Sequence, residues 1–111
     1  MEITTKKSGG VAVLQISGSL DASNLAAFKK TTQSVVSEKF FKLILDCSKL
    51  EFVDSMGLGV MISLLRRVRG EKGDLKVTGL SKDVRQVFEI TRLHRLFEIF
   101  PDVEAARKSF L

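Results

Sequence analysis

The sequence is poor in the side chains that hold metals and form disulfides. It contains one cysteine, Cys47, and one histidine, His94. An internal disulfide needs two cysteines, and a Cys/His zinc site needs about four such ligands. We therefore expect no redox role, no metal site and no cofactor.

Proline and linker-like segments are also scarce. Pro101 is the only proline, and no repeat or low-complexity segment interrupts the chain. Such features mark boundaries between domains. A chain of 111 residues, 44% of them hydrophobic, has the length for one core. We expect residues 1–111 to form a single domain.

Long apolar runs are missing as well. No stretch approaches the roughly 20 apolar residues that cross a bilayer. The first seven residues, MEITTKK, lack the apolar run of a secretory signal. We therefore expect a cytoplasmic protein that does not associate with a membrane.

The chain has no tryptophan or tyrosine, and all eight aromatic residues are phenylalanine. The net charge of +5 makes an acidic partner such as nucleic acid worth testing. However, lysine and arginine are spread along the chain, with mild clusters at residues 66–69 and 92–95. Because the phenylalanines fall at core-like positions, no aromatic stacking platform is evident. The sequence favours a solvated basic surface without specific nucleic-acid binding.

Strand and helix patterns alternate along the chain. A β-prone run over residues 11–16 can form a hairpin with residues 2–7. Helical spacing of apolar residues follows over about residues 23–37, with Asp21 or Ser23 as the cap. Residues 40–46 are typical of a strand buried on both faces.

The second half of the chain continues this alternation. We predict a loop from Cys47 to Asp54, then a helix over residues 55–69 closed by Gly70 and Gly73. A strand at 75–78, a helix capped by Ser81, a strand at 96–100 and a helix opened by Pro101 and Asp102 follow. The order β-β-α-β-α-β-α-β-α predicts an α/β fold with a single mixed sheet and helices packed against it.

The segment Asp54-Ser55-Met56-Gly57-Leu58-Gly59 is the strongest candidate for a functional site. Ser55 opens a helix, whose N-terminus stabilises an anion such as a phosphate. Gly57 and Gly59 leave the first turn without bulk, so a partner could approach closely. Alternatively, Ser55 or Asp54 is only an N-cap and the glycines permit tight packing; from the residues alone, capping is the commoner role.

Enzyme motifs are not found. The segment lacks the Gly-Lys-Ser/Thr of a Walker loop, and its Gly-x-Gly is too short for a dinucleotide fingerprint. His94 lies far along the chain without an obvious serine or cysteine partner. We therefore predict that the chain is not an enzyme.

The helix after Asp54 has two distinct faces. Its core face is predicted from helical spacing to contain Leu58, Met61, Ile62, Leu65 and Val68. The opposite face is an outward stripe that starts beside Ser55 and consists of Met56, Val60, Ser63 and Arg67. An outward apolar pair, Met56 and Val60, is a candidate docking surface, unless a neighbouring loop covers it.

Two motifs resemble those of the STAS domains, named for sulfate transporters and anti-sigma-factor antagonists. Residues 54–59 are similar to the family's Asp-Ser-x-Gly-Leu-Gly signature, and Gly18-Ser19-Leu20-Asp21 is similar to its upstream Gly-x-Leu-Asp element. The order of elements agrees with the family from about residue 2 to residue 110. The absence of a membrane-spanning stretch argues against the cytosolic tail of a transporter.

The resemblance implies a bacterial anti-sigma-factor antagonist. In that family, an anti-sigma factor that is also a serine kinase uses ATP to phosphorylate the signature serine, here Ser55. The unphosphorylated antagonist binds this partner and frees a sigma factor; the phosphorylated form lets go, and a serine phosphatase resets it.

The resemblance also implies roles for single residues. Asp21 and Asn24 would flank the serine near the partner's nucleotide pocket, and Asp54 would orient its hydroxyl. Partner contacts are expected at Met56, Gly57, Gly59 and Val60, and further along the helix at Ser63 and Arg67.

Two other functions stay open at this point. The domain could be a scaffold that binds its partner regardless of phosphate. It could also be a nucleotide or small-ligand sensor that uses the crevice at the start of the second helix. The oligomeric state stays open between a monomer and a weak dimer.

Overall fold

The computed structural model describes residues 1–111 and contains five strands and four helices. The strands are β1 (Glu2–Ser8), β2 (Val11–Leu20), β3 (Lys42–Val53), β4 (Asp74–Thr78) and β5 (Ile99–Phe100). The helices are α1 (Leu25–Ser37), α2 (Ser55–Gly70), α3 (Lys82–Ile90) and α4 (Val103–Ser109), with a 3₁₀ turn at Leu93–Arg95. This order confirms the predicted α/β fold.

The strands form one mixed sheet in the order β1-β2-β3-β4-β5. β1 and β2 pair antiparallel through a two-residue turn, in which Gly9 and Gly10 both have positive φ. Such a turn suits glycine, which has no Cβ to clash there. The other pairs are parallel, and each connection between them contains a helix, as a parallel crossover requires.

The sheet is covered on both faces. On one face, α1, α2 and α3 contribute to a cluster of 23 buried residues that includes Phe28 and Phe88. On the other face, α4 places Ala106 in a smaller buried cluster with Ile44. Successive strand residues point to opposite faces, so a strand buried this way is almost continuously apolar, as the sequence of β3 predicted.

A buried lysine, Lys76, lies beside the smaller cluster. The Lys76 ammonium donates a hydrogen bond to Ser109 Oγ at 2.6 Å and lies 4.2 Å from the ring centre of Phe110. The Phe100 ring and the Glu98 carboxylate are its other neighbours. A cation over an aromatic face is attracted by the ring's quadrupole. This lysine therefore joins α4 to β4.

The loop predicted from Cys47 to Asp54 is wrong for all but its last residue. β3 continues to Val53 and pairs there with the second half of β2, while β4 follows β3 only as far as Asp46. Two register shifts interrupt the β2–β3 pairing. They break the two-residue alternation, so that Cys47, Leu50 and Val53 are buried at intervals of three residues. The pattern therefore did not resemble a strand.

The predicted caps give mixed results. Ser81 and Asp102 accept the expected hydrogen bonds from backbone N–H groups at the starts of α3 and α4. At α1, however, the N-cap is Asn24, so the expected cap by Asp21 or Ser23 is wrong. At the end of α2, Lys72 takes the left-handed conformation (φ 63°) that we expected of a glycine.

The last strand is shorter than predicted. β5 contains only Ile99 and Phe100, and residues 96–98, which follow the 3₁₀ turn at Leu93–Arg95, are not part of the strand. Phe97 is buried and packs edge-on against Phe88, with 5.8 Å between ring centres. Its apolar character reflects this contact with α3. None of the helices has both the length and the apolar character needed to span a membrane.

Candidate functional site

Ser55 is the first residue of α2 and is exposed. The cap of this helix is Asp54, whose backbone is extended and whose Oδ1 accepts a hydrogen bond from the Gly57 N–H at 2.8 Å. Asp54, rather than Ser55, is therefore the N-cap of α2. Ser55 is exposed to solvent, and its hydroxyl takes no part in the cap.

Asp54 also connects α2 to the segment before α1. Its Oδ2 accepts a hydrogen bond from the Ala22 N–H at 3.1 Å, and its own N–H donates to the Leu20 carbonyl. Both side-chain oxygens thus accept hydrogen bonds from backbone N–H groups, and the structure has no hydrogen bond between Asp54 and the Ser55 hydroxyl. That Asp54 orients this hydroxyl stays a prediction. The Gly57 N–H, foremost, and the Ala22 N–H lower the pKa of the Asp54 carboxyl.

Asp21 and Asn24 form a turn beside this helix start. Asn24 Oδ1 accepts from the Asp21 N–H at 2.9 Å, and Asn24 Nδ2 donates to the Ser19 carbonyl at 2.6 Å. Asp21 Oδ1 accepts from both the N–H and the hydroxyl of Ser23. Because Ala22 is bonded to Asp54, the turn is held against the N-terminus of α2. The two motifs, far apart in sequence, therefore meet in one place.

The two glycines of the motif have different surroundings. Gly57 is buried, and a Cβ there would overlap the Leu20 carbonyl oxygen and lie 2.8 Å from Val53 Cγ2. The expectation that Gly57 leaves room for a partner is wrong, because β2 and β3 occupy that room. Gly59 has nothing within 4 Å of its Cβ position. Open space in the first turn is thus found only at Gly59.

The outward stripe of α2 has the predicted orientation. Met56 is 53% exposed, Ser63 and Arg67 are exposed, and Val60 is half-buried. No loop covers Met56. Arg67 forms an ion pair with Glu71 at 3.0 Å.

The core face of α2 differs from the prediction at two residues. Leu58, Met61, Leu65 and Val68 are buried as expected. Leu64 is buried too, and Ile62 is only half-buried. The helix therefore presents its core face to both the sheet and α1, which widens that face on the side of Leu64.

Phe52 is an exposed apolar residue that the sequence analysis missed. It is 54% exposed and lies three residues before Ser55, near the end of β3. Phe52 falls within the loop that was predicted from Cys47 to Asp54, and no role was expected of it. A large apolar residue close to a polar motif is a usable signal, but only a strand assignment would have indicated that one side of Phe52 faces solvent.

Comparison with protein families agrees with this geometry. A family model described as the STAS domain matches residues 2–106. The chain belongs to the STAS domain family. The match includes the turn at Asp21–Asn24 and the whole of α2.

Relatives of this STAS domain are named as anti-sigma factor antagonists. The anti-sigma-F factor antagonist RsfB of Mycobacterium tuberculosis is 27% identical over 104 residues, which cover 94% of this chain and 84% of RsfB.

Solved structures share the fold. An anti-sigma factor antagonist from Mycobacterium paratuberculosis has a TM-score of 0.88 at 24% identity, covering 97% of this chain and 92% of that one. The Bacillus cell fate determinant SpoIIAA in its phosphorylated form has a TM-score of 0.75 at 18% identity, covering 97% and 99%.

Other reactive side chains of the STAS domain lie away from Ser55. Burial, and next the charge of Asp46, raise the pKa of the Cys47 thiol to about 12. His94 lies in the 3₁₀ turn with its Nδ1 3.3 Å from the Phe88 carbonyl oxygen. The exposed site at the start of α2 therefore consists of a serine, a capping carboxylate and apolar side chains.

Proposed function

We propose that this STAS domain is an anti-sigma-factor antagonist whose binding is switched by phosphorylation of Ser55. The observation that carries the proposal is the exposed Ser55 hydroxyl, left free because Asp54 caps α2. A residue required for the cap could not be modified without a cost to the fold. Ser55 carries no such role, so it can be modified while the domain stays folded.

The start of α2 can accommodate a phosphate. The first N–H groups of a helix have no carbonyl partner within the helix, and the helix dipole favours an anion there. In α2 the Asp54 carboxylate takes the Gly57 N–H and also interacts with the Met56 N–H, which leaves the Ser55 N–H at the helix end. A phosphoserine at Ser55 would therefore be stabilised locally.

The same phosphate would oppose binding of a partner. Met56, Gly59 and Val60, within the first two turns of α2, give the helix a weakly polar surface beside the serine. A phosphate adds about −1.5 to −2 charges. Burying that charge under a partner is costly unless the partner supplies cations for it. The unphosphorylated form would bind the partner, and the phosphorylated form would dissociate from it.

The partner is proposed to be an anti-sigma factor with serine kinase activity, which supplies the ATP. Its capture would release a sigma factor, and a serine phosphatase would restore the binding form. Asp21 and Asn24 would contact the partner, since their turn is held against the start of α2. The domain would act in the cytoplasm by binding, without catalysis of its own. RsfB, which is named an anti-sigma-F factor antagonist, supports this assignment.

Phosphorylation in vitro tests the proposal. The chain is incubated with ATP and each serine-kinase anti-sigma factor of its genome, and phosphate is mapped by mass spectrometry. We expect a single phosphate, on Ser55, with none on the Ser55→Ala variant. Ser34→Ala is the matched control, because Ser34 is an exposed helical serine that lies outside the surface proposed to contact the partner. Phosphate on another residue, or none with any kinase, contradicts the proposal.

A further inference from the structure

A groove of about 510 Å³ lies between α1 and α2. From α2 it is lined by three residues of the outward stripe: Val60, Ser63 and Arg67. Helical spacing predicted these residues on an outward stripe of a single helix. The structure adds a second wall from α1, so the stripe is one side of a concave surface.

The floor of the groove is apolar. Phe28 from α1 and Leu64 from α2 line it and are only 1% and 7% exposed, respectively. Val60 adds a half-buried apolar side chain. An occupant must therefore present an apolar side to this floor.

The rim of the groove is positively charged. Lys29 and Arg67 are the only ionisable residues that line it, and no carboxylate does. Arg67 is paired with Glu71 one turn further along α2, whereas Lys29 has no ion-pair partner. Charges of one sign on a groove favour an occupant of the opposite sign.

The two helical walls of the groove also restrict which kind of segment can bind there. Both walls are helices, whose backbone groups are already bonded internally, so the groove offers no free edge to pair with a strand. A segment that binds there must satisfy its own backbone, as a helix does. At 1.5 Å per residue, Ser55 and Arg67 are separated by about 18 Å along α2, the length of a helix of about 12 residues.

We propose that the groove between α1 and α2 seats an acidic amphipathic helix of the anti-sigma factor partner. Apolar residues of that helix pack on the floor, and its carboxylates face Lys29 and Arg67. The groove continues the surface that begins at Met56, beside the serine that the partner must reach. This inference rests on the proposed function and identifies α1 as a second wall of the interface.

Charge reversal tests the inference by titration of the anti-sigma factor kinase with the unphosphorylated chain. Lys29→Glu and Arg67→Glu are expected to weaken binding about 10-fold each, with most of the effect lost at high salt. Lys108→Glu, the same change on an exposed residue of α4, is the control and should stay within about twofold of wild type. Circular dichroism verifies that each variant is folded.

The outcomes of this titration distinguish failure of the groove inference from failure of the proposed phosphorylation switch. Groove variants that bind like wild type, while Ser55 is phosphorylated normally, overturn the groove inference and leave the switch intact. A wild-type chain that neither binds nor is phosphorylated overturns both.

Crosslinking identifies the occupant directly. A photo-crosslinking residue replaces Gln33, an exposed residue of the α1 wall. We expect it to capture an acidic helical peptide of the kinase. Capture of a basic segment, or of a second copy of this chain, overturns the inference.

Discussion

The Asp54 carboxylate accepts a hydrogen bond from the Ala22 N–H at 3.1 Å and so joins segments 32 residues apart. The other oxygen of the same carboxylate caps α2 through the Gly57 N–H. One side chain thus fixes the start of α2 and holds the turn at Asp21–Asn24 against it. Because both bonds are made to the ionised form, the assembly depends on the charge of Asp54.

Acid should therefore weaken this connection. The folded pKa of Asp54 is lowered from its usual value of 3.8, so its contribution to stability is present above that value and is lost as pH falls through the folded pKa. We expect Asp54→Ala to be less stable than wild type at about pH 7, with a gap that narrows by about pH 3. Urea unfolding of both proteins measures it. A gap of constant size would show that the charge is not involved.

The two glycines of the motif should respond oppositely to alanine. Gly57→Ala places a methyl group against the Leu20 carbonyl and Val53, and should destabilise the fold by about 1–3 kcal/mol. Gly59→Ala meets nothing within 4 Å and should stabilise α2 by up to about 1 kcal/mol. Urea midpoints of the two variants provide the comparison. Equal effects would contradict the packing described for Gly57.

Cys47 should be inert while the domain is folded. Its thiol is buried, and its pKa is raised from 9.0 to about 12. A thiol reagent at about pH 8 should leave it unmodified until urea unfolds the chain. Between pH 9 and 12 the unfolded chain ionises the thiol while the folded one keeps the proton, so stability should fall across this range. Rapid labelling of the native protein would disprove the burial.

Lys76 should be replaceable by a residue of its own shape. Lys76→Met keeps apolar atoms against Phe110 and removes a buried charge, so its stability should stay within about 1.5 kcal/mol of wild type. Lys76→Ala leaves a cavity beneath α4 and should cost about 2 kcal/mol or more. Thermal unfolding of both variants distinguishes packing from charge. A loss for methionine as large as that for alanine would mean that the ammonium itself holds α4.

The order of the elements could be predicted because it depends on local patterns. Apolar spacing identified the helices, and the continuous apolar run identified the first part of β3. The end of β3 could not be predicted, since the register shifts against β2 hide its alternation. Neither local propensity nor spacing reports the pairing partner of a strand.

The site was predictable only in part for the same reason. The motif placed Ser55 at a helix start and Met56 outward, and both positions are confirmed. The role of Gly57 depends on the Leu20 carbonyl, and the second bond of Asp54 depends on Ala22. The groove wall from α1 and the exposure of Phe52 likewise arise from tertiary contacts. Residues that depend on distant partners were those that the sequence left unassigned or misassigned.

The central claim is that phosphate on Ser55 controls partner binding. The direct measurement is the affinity of the anti-sigma factor kinase for the unphosphorylated chain, the Ser55-phosphorylated chain and Ser55→Ala. We expect Ser55→Ala to bind within about threefold of the unphosphorylated wild type, and the phosphorylated chain to bind about 100-fold or more weakly, a difference of about 2.7 kcal/mol. Equal affinities for all three would contradict the switch and favour a scaffold that binds regardless of phosphate.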